Sequence, residues 1–261
     1  MITSPTNARI KSARKLQRRR NRDKEQQILI EGVRLVEDAW RAGVRPVQVF
    51  YDAERVADNV RASTLLGEMR AADVPCAPCT SAVFAVLADT VTPQGIAAVT
   101  PIPRHPPPAA VSLALVLDGI RDPGNAGTLL RTAEAAGADW ALFAPGTVDA
   151  YNDKTLRAAM GAHFRLPLSQ FDTWSALRAQ LPASAAVYLA DAAGDRAYTE
   201  VDWRKPAVLI VGGEAEGARA PARAVATPIM IPMHGGTESL NAAVAGSVIL
   251  MEAARQRGGA R

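Results

Sequence analysis

The chain has 261 residues, 48% of them hydrophobic, and a formal net charge of +4. That length can bury one large core or two modest ones, and two domains is the expectation. No apolar run approaches the ~18 residues that a membrane span needs, and the basic opening MITSPTNARIKSARK leads into no apolar segment, so neither an anchor nor a secretory leader is read here and a cytoplasmic protein is expected.

Charge is unevenly spread along the chain. Nine of the 30 Lys and Arg residues precede Glu25, against a single acid, Asp23. Ser4 and Pro5 suit an N-cap and a first helical residue. Beyond them Lys11, Arg14, Lys15, Arg18 and Arg22 recur at spacings of three and four, which lines them along one helical face with Arg19 and Arg20 beside them. A stripe of this kind neutralises phosphates, so contact with RNA or DNA is expected; the alternative is a merely solvated face.

Short elements then alternate. QILIE (27–31) reads as a strand, 32–42 as a helix, PVQVFY (46–51) as a strand, 60–71 as a helix, the region of Val74 as a strand, 81–88 as a helix and 95–99 as a strand. Residues 1–100 thus form a small α/β domain. Cys76 and Cys79 make one CxxC, but no second pair exists and His105, His163 and His234 are scattered, so buried free thiols are expected and no metal site. PIPRHPPPAA (101–110) favours a stiff extended chain and reads as a linker. A second domain then fills 111–261.

That second domain opens on LALVLDGIRDPGNAGTLLRTAEAAGA (113–138), an apolar strand, a Gly/Pro/Asn turn and a helix. Strands follow at 140–143, 166–168, 186–190, 207–211 and 228–233, separated by helices at 151–162 and 175–181 and closed by a long helix, 239–255, with Leu240, Val244, Val248 and Met251 along one side. Strands alternating with helices imply a mostly parallel sheet with helices on both faces. Three of these strands end in loops of small and polar residues, DGIRDPGNAG, GGEAEG and HGGTESLN, which together offer Asn125, Arg131, Glu214, Ser239 and Asn241. Singly, each has an ordinary explanation as a helix cap or a solvated charge. Carboxyl-end loops of one parallel sheet can also converge on one crevice.

NAGTLLRTAEAAGA, LIVGGEAEG and IPMHGGTESLNAAVAGSVILMEAARQR resemble motifs one, two and three of the SpoU (TrmH) family of RNA 2'-O-ribose methyltransferases, within the SPOUT class. SPTNARIKSARKL, ILIEGVRLVEDA and TPQGIAAV resemble the ribosomal-protein-like domain that binds substrate in members acting on large-subunit ribosomal RNA. The resemblance spans nearly the whole chain. It implies S-adenosyl-L-methionine as methyl donor, a ribose 2'-hydroxyl of 23S ribosomal RNA as acceptor, a C-terminal trefoil knot, and a homodimer that shares its active site. Residue by residue, it implies a motif-one Asn at Asn125, a catalytic Arg at Arg131, a motif-two acid at Glu214, and the motif-three pair Ser239 and Asn241. Cofactor contacts fall on Gly212, Ile231 and Leu240, with the loop after Leu189 as a weaker candidate. Ala159 stands where many members carry Ser.

The family account makes Arg131 the general base, yet a guanidinium with a pKa above ~12 holds its proton. The preferred expectation is that Arg131 fixes the target phosphate and stabilises the developing alkoxide, with Ser239 or Glu214 assisting proton removal. Three rival readings remain: a transfer-RNA 2'-O-methyltransferase, a non-catalytic RNA-binding or assembly factor of the same fold, and a nicotinamide-dependent oxidoreductase. The last lacks the G-x-G-x-x-G order in its first loop and leaves the basic N-terminus without a role.

Overall fold

The computed structural model describes residues 1–88, 92–214 and 216–258. The chain divides into two compact units: residues 1–103 with 151–164, and residues 104–150 with 165–261.

The first unit begins with α1 (Ala8–Lys15) and α2 (Arg19–Glu25), then β1 (Gln27–Glu31), α3 (Val33–Arg41), β2 (Gln48–Asp52), α4 (Ala53–Ala57), α5 (Val60–Ala71), β3 (Cys76–Cys79), α6 (Ser81–Leu87) and β4 (Ile96–Pro101). Its four strands lie in the order β1-β4-β2-β3; β4 runs antiparallel to both its neighbours, and β2 and β3 are parallel. Ile10, Ala13 and Leu16 of the N-terminal segment pack with Phe84 and Leu87 of α6 over one face. Both cysteines lie on β3, two residues beyond the strand expected near Val74, and both are free.

The basic N-terminus departs from the expected single helix. Asn7, not Ser4, caps α1, its side chain accepting the Arg9 N–H at 2.9 Å. The helix stops at Lys15 and a new one starts at Arg19, because Arg22 turns inward: only 5% exposed, it donates to the carbonyls of Leu16 and Gln17, both at 2.8 Å. A buried guanidinium that satisfies carbonyls at a helix end holds the bend and cannot also face a phosphate. Lys11, Arg14, Lys15 and Arg18 are exposed, so the basic stripe loses Arg22 and keeps the other four.

The second unit comprises β5 (Leu113–Asp118), α7 (Pro123–Ala135) and β6 (Trp140–Phe143); then, after the 151–164 segment with its short α8 (Asp153–Ala158), β7 (Leu168–Gln170), α9 (Trp174–Gln180), β8 (Ala186–Ala190), β9 (Arg196–Ala197), β10 (Ala207–Gly212), α10 (Ala220–Arg223), β11 (Thr227–Met230) and α11 (Ala242–Gly258). Residues 151–164 fall within the span given to the second domain from sequence but pack as part of the first unit; α8 lies against β1. The seven strands run in the order β7-β6-β5-β10-β8-β11-β9 with every pairing parallel. Every residue of β5 and β10 is buried, as expected for central strands covered on both faces. Alternate residues Ala114, Val116, Val208 and Ile210 meet Leu177 of α9 and Ala222 of α10 on one face, while α7 and α11 pack together and α11 contacts β10.

The last helix buries a different side from the one expected. Ala243, Gly246, Ile249, Leu250 and Ala253 are buried, whereas Leu240, Val244 and Met251 are 37%, 49% and 50% exposed. A glycine faces inward at Gly246 because α11 lies close to its neighbours there: a Cβ would stand 2.5 Å from Leu129 Cδ2 and 2.9 Å from Val211 Cγ2. Among the described residues no helix is long and apolar enough to cross a membrane.

Candidate active site

Three loops at the carboxyl ends of β5, β10 and β11 meet through their side chains. Asp122 caps α7, its Oδ1 accepting the Asn125 N–H at 2.8 Å, with Pro123 in the first turn. That cap places Asn125 where its Nδ2 donates to Glu214 Oε1 at 2.5 Å and its Oδ1 accepts from Asn241 Nδ2 at 3.3 Å. Asn241 in turn accepts the N–H groups of Ala243 and Val244 at 2.9 and 3.2 Å, so it caps α11 and joins the constellation at once. The ordinary and the functional explanation hold together for this residue.

Glu214 sits on a tight turn. Gly213 N–H donates to the Asp118 carbonyl at 3.0 Å, and Gly217 N–H donates back to the Gly213 carbonyl at 3.0 Å. A second bridge, Arg121 to Glu216 at 3.2 Å, links the first two loops at the surface. Ala215 lies outside the described residues.

Beside this cluster lies a cavity of about 420 Å³, lined by Gly212, Glu214, Ile231, Ser239, Leu240 and Asn241 among others. The predicted cofactor residues Gly212, Ile231 and Leu240 therefore share one space with Glu214, Ser239 and Asn241. The loop after Leu189, the weaker candidate, also lines the cavity through Asp191, which follows β8 and pairs with Arg223 of α10 at 2.5 Å. Sequence reasoning missed Arg223, which carried no signal because α10 itself was not anticipated.

Arg131 stands apart. Six residues after Asn125 on α7, it lies about 240° around the helix, exposed and with no hydrogen bond or ion pair to any described residue. Within one chain it does not join Asn125, Glu214 and Asn241.

The cavity suits a sulfonium nucleoside. Ile229, Ile231, Leu240 and Ile249 supply apolar walls for an aromatic base, the Arg223–Asp191 pair offers both charges to a zwitterionic amino-acid tail, and the volume falls in the ordinary range for ligand sites. Glycines keep it open: a Cβ at Gly212 would lie 2.3 Å from the Ala218 nitrogen, and one at Gly213 would lie 2.4 Å from the Gly119 carbonyl oxygen. Among the described residues no group of three or more His, Cys, Asp or Glu side chains is gathered as for a metal.

Residues 112–251 match the model of the SpoU rRNA methylase family, more than half of the chain. The chain belongs to this family. Residues 7–98 match a second model, the MRM3-like substrate binding domain. The SpoU chain is 32% identical to the 23S rRNA (guanosine(2553)-2'-O)-methyltransferase RlmP of Bacillus subtilis over 95% of its own length and 97% of that protein. Among solved structures it is similar to the SpoU methyltransferase AviRb from Streptomyces viridochromogenes, with a TM-score of 0.83 and 27% identity over 98% of this chain and 99% of that one. An AdoMet-bound rRNA methyltransferase from Sinorhizobium meliloti gives a TM-score of 0.83 and 30% identity, covering 97% of both chains. The protein is thus an S-adenosylmethionine-dependent RNA 2'-O-methyltransferase of the SpoU family, and the oxidoreductase reading is set aside.

Proposed function

We infer that this SpoU methyltransferase acts on large-subunit ribosomal RNA, with Asn125, Glu214, Ser239 and Asn241 of one subunit and Arg131 of another forming each active site. The observation that carries this reading is the hydrogen-bonded chain from Asn241 through Asn125 to Glu214 at the wall of the cavity. A relative of nearly the same length named for 23S ribosomal RNA supports that substrate over transfer RNA, as does the match of residues 7–98 to a substrate-binding domain. The similarity to a bacterial relative over nearly the whole length of both chains supports a cytoplasmic enzyme.

Bound in the cavity, S-adenosylmethionine supplies an electrophilic methyl on a sulfonium whose sulfur leaves as a neutral thioether. Glu214 has one oxygen committed to Asn125 and the other without a partner among the described residues, so the free oxygen accepts the ribose 2'-hydroxyl proton. Asn125 and Asn241 hold that carboxylate in place, and Ser239 lines the same wall. Such fixed groups act by positioning and electrostatics rather than by covalent chemistry. The guanidinium of Arg131 holds the target phosphate and offsets the alkoxide charge.

Dimerisation accounts for two features left unexplained in a single chain. Leu240, Val244 and Met251 expose an apolar stripe along α11 and the residues just before it, and Arg131 projects without a partner. A second copy covering that stripe brings its Arg131 to the cavity. The trefoil knot that the resemblance implies is assigned to the same region. The exposed Lys11, Arg14, Lys15 and Arg18 add RNA affinity that does not depend on sequence. Mapping 2'-O-methyl groups in cellular RNA with and without the protein tests the assignment: loss of one large-subunit site is expected, and loss at a transfer-RNA position would overturn it.

A further inference from the structure

Asp118, the last residue of β5, is fully buried and takes no part in the chemistry above. Its backbone carbonyl accepts the Gly213 N–H at 3.0 Å, where the turn carrying Glu214 begins. Its side-chain Oδ2 accepts the Arg219 backbone N–H at 2.7 Å, where the chain leaves that turn. The other oxygen, Oδ1, accepts the indole N–H of Trp174 at 3.0 Å. One residue therefore holds both ends of the segment from Gly213 to Arg219, with its backbone at one end and its carboxyl group at the other.

The described residues at the two ends of that segment are closely held. The segment is pinched by the Gly217-to-Gly213 hydrogen bond, and the close approaches at Gly212 and Gly213 press it against the backbone of residues 118–119 and 217–218. Gly212, Gly213, Glu214, Gly217 and Ala218 all line the cavity. A buried carboxyl group without partners is strongly disfavoured, so the two N–H donors and the acid select one another's positions.

We propose that Asp118 is the positioning residue for the turn carrying Glu214: through the Arg219 N–H it sets both the cofactor cavity and the height of the proton-accepting carboxylate. The proposal rests on the cavity being the S-adenosylmethionine site. Arg219 provides a test because its φ of −75° suits proline, whose ring carbon takes the place of the N–H that faces Asp118. Arg219→Pro deletes the N–H that donates to Asp118, whereas Arg219→Ala keeps it; both lose the guanidinium that donates to the Pro145 carbonyl.

Calorimetric titration of the full chain with S-adenosylhomocysteine, together with thermal unfolding of each variant, reads the effect. Arg219→Pro is expected to bind about tenfold or more weakly than Arg219→Ala, the factor carried by one hydrogen bond to a charged acceptor, while both unfold cooperatively. Asp118→Ala provides a second route, since it removes the acceptor of both donors; it is expected to weaken binding as Arg219→Pro does. Trp174→Phe, which removes the other donor alone, is expected to lower the unfolding temperature without weakening binding. Equal affinities for folded Arg219→Pro and Arg219→Ala, or an equal loss in Trp174→Phe and Asp118→Ala, would overturn the proposal. A wild-type chain that binds no S-adenosylhomocysteine would instead overturn the cofactor reading, and the proposal with it.

Discussion

Asn125 shows how much one side chain can join. Its backbone N–H is taken by the Asp122 cap, its Nδ2 by Glu214 and its Oδ1 by Asn241, so every polar atom it adds to the first turn of α7 has a defined partner. Asn125→Asp would set a carboxylate against Glu214 at hydrogen-bond distance, where like charges repel. Its kcat in a methylation assay is expected to fall about 10²-fold or more, and further than that of Asn125→Ala, which removes the contact without adding charge. Cys76 and Cys79 make the opposite case, a suggestive spacing without reactivity. Burial pushes both thiols above the usual range, only partly opposed at Cys76 by the Arg70 charge. A raised thiol pKa means less thiolate at neutral pH. Alkylation of the folded chain by iodoacetamide is therefore expected to be slower than that of free cysteine at neutral pH, and to accelerate only above the ~8.5 of an ordinary thiol.

Elements were the most legible features of the sequence wherever hydrophobic period and turn chemistry agreed. The strands at 27–31 and 186–190 and the helix at 60–71 fall where alternation and spacing put them, with the buried pairs Ile28/Ile30 and Leu65/Leu66 facing the core. Two helical stretches misled for physical reasons. The basic N-terminus keeps a helical charge spacing through Arg22, but Arg22 is spent on two carbonyls at the bend. Arg22→Ala is expected to cost about 1–3 kcal/mol in urea unfolding and to leave the salt dependence of RNA binding unchanged, whereas replacing Lys11, Arg14, Lys15 and Arg18 together should flatten that dependence and spare stability. In α11 the stripe through Val244 and Met251 is exposed and the side through Ala243, Gly246, Ile249, Leu250 and Ala253 is buried, with close packing against Leu129 and Val211 leaving room only for a glycine at Gly246. Gly246→Ala raises helix propensity but overpacks that contact, and a net loss of about 1–3 kcal/mol is expected by thermal or urea unfolding.

At the scale of the molecule, the exposed stripe at Val244 and Met251 bears on assembly. On the proposed dimer, Val244→Glu with Met251→Glu is expected to give a monomer in sedimentation and to abolish methylation while leaving the circular dichroism of the chain intact. Mixed dimers of Arg131→Ala and Asn241→Ala chains should regain part of the activity that either lacks alone, if each site draws Arg131 from its partner. The class of fold and the loops that end the central strands were legible in the order of the amino acids, because periodicity and turn chemistry are local properties, and the family was legible through the motifs that resemble it. Tertiary structure alone decided that Arg22 is buried, that Arg131 makes no contact with Asn125, that Arg223 lines the cavity, and that Asp118 bonds at both ends of the Glu214 turn. Each of those depends on chain segments distant in sequence, and their meeting is set by how strands stack and helices pack rather than by any local pattern.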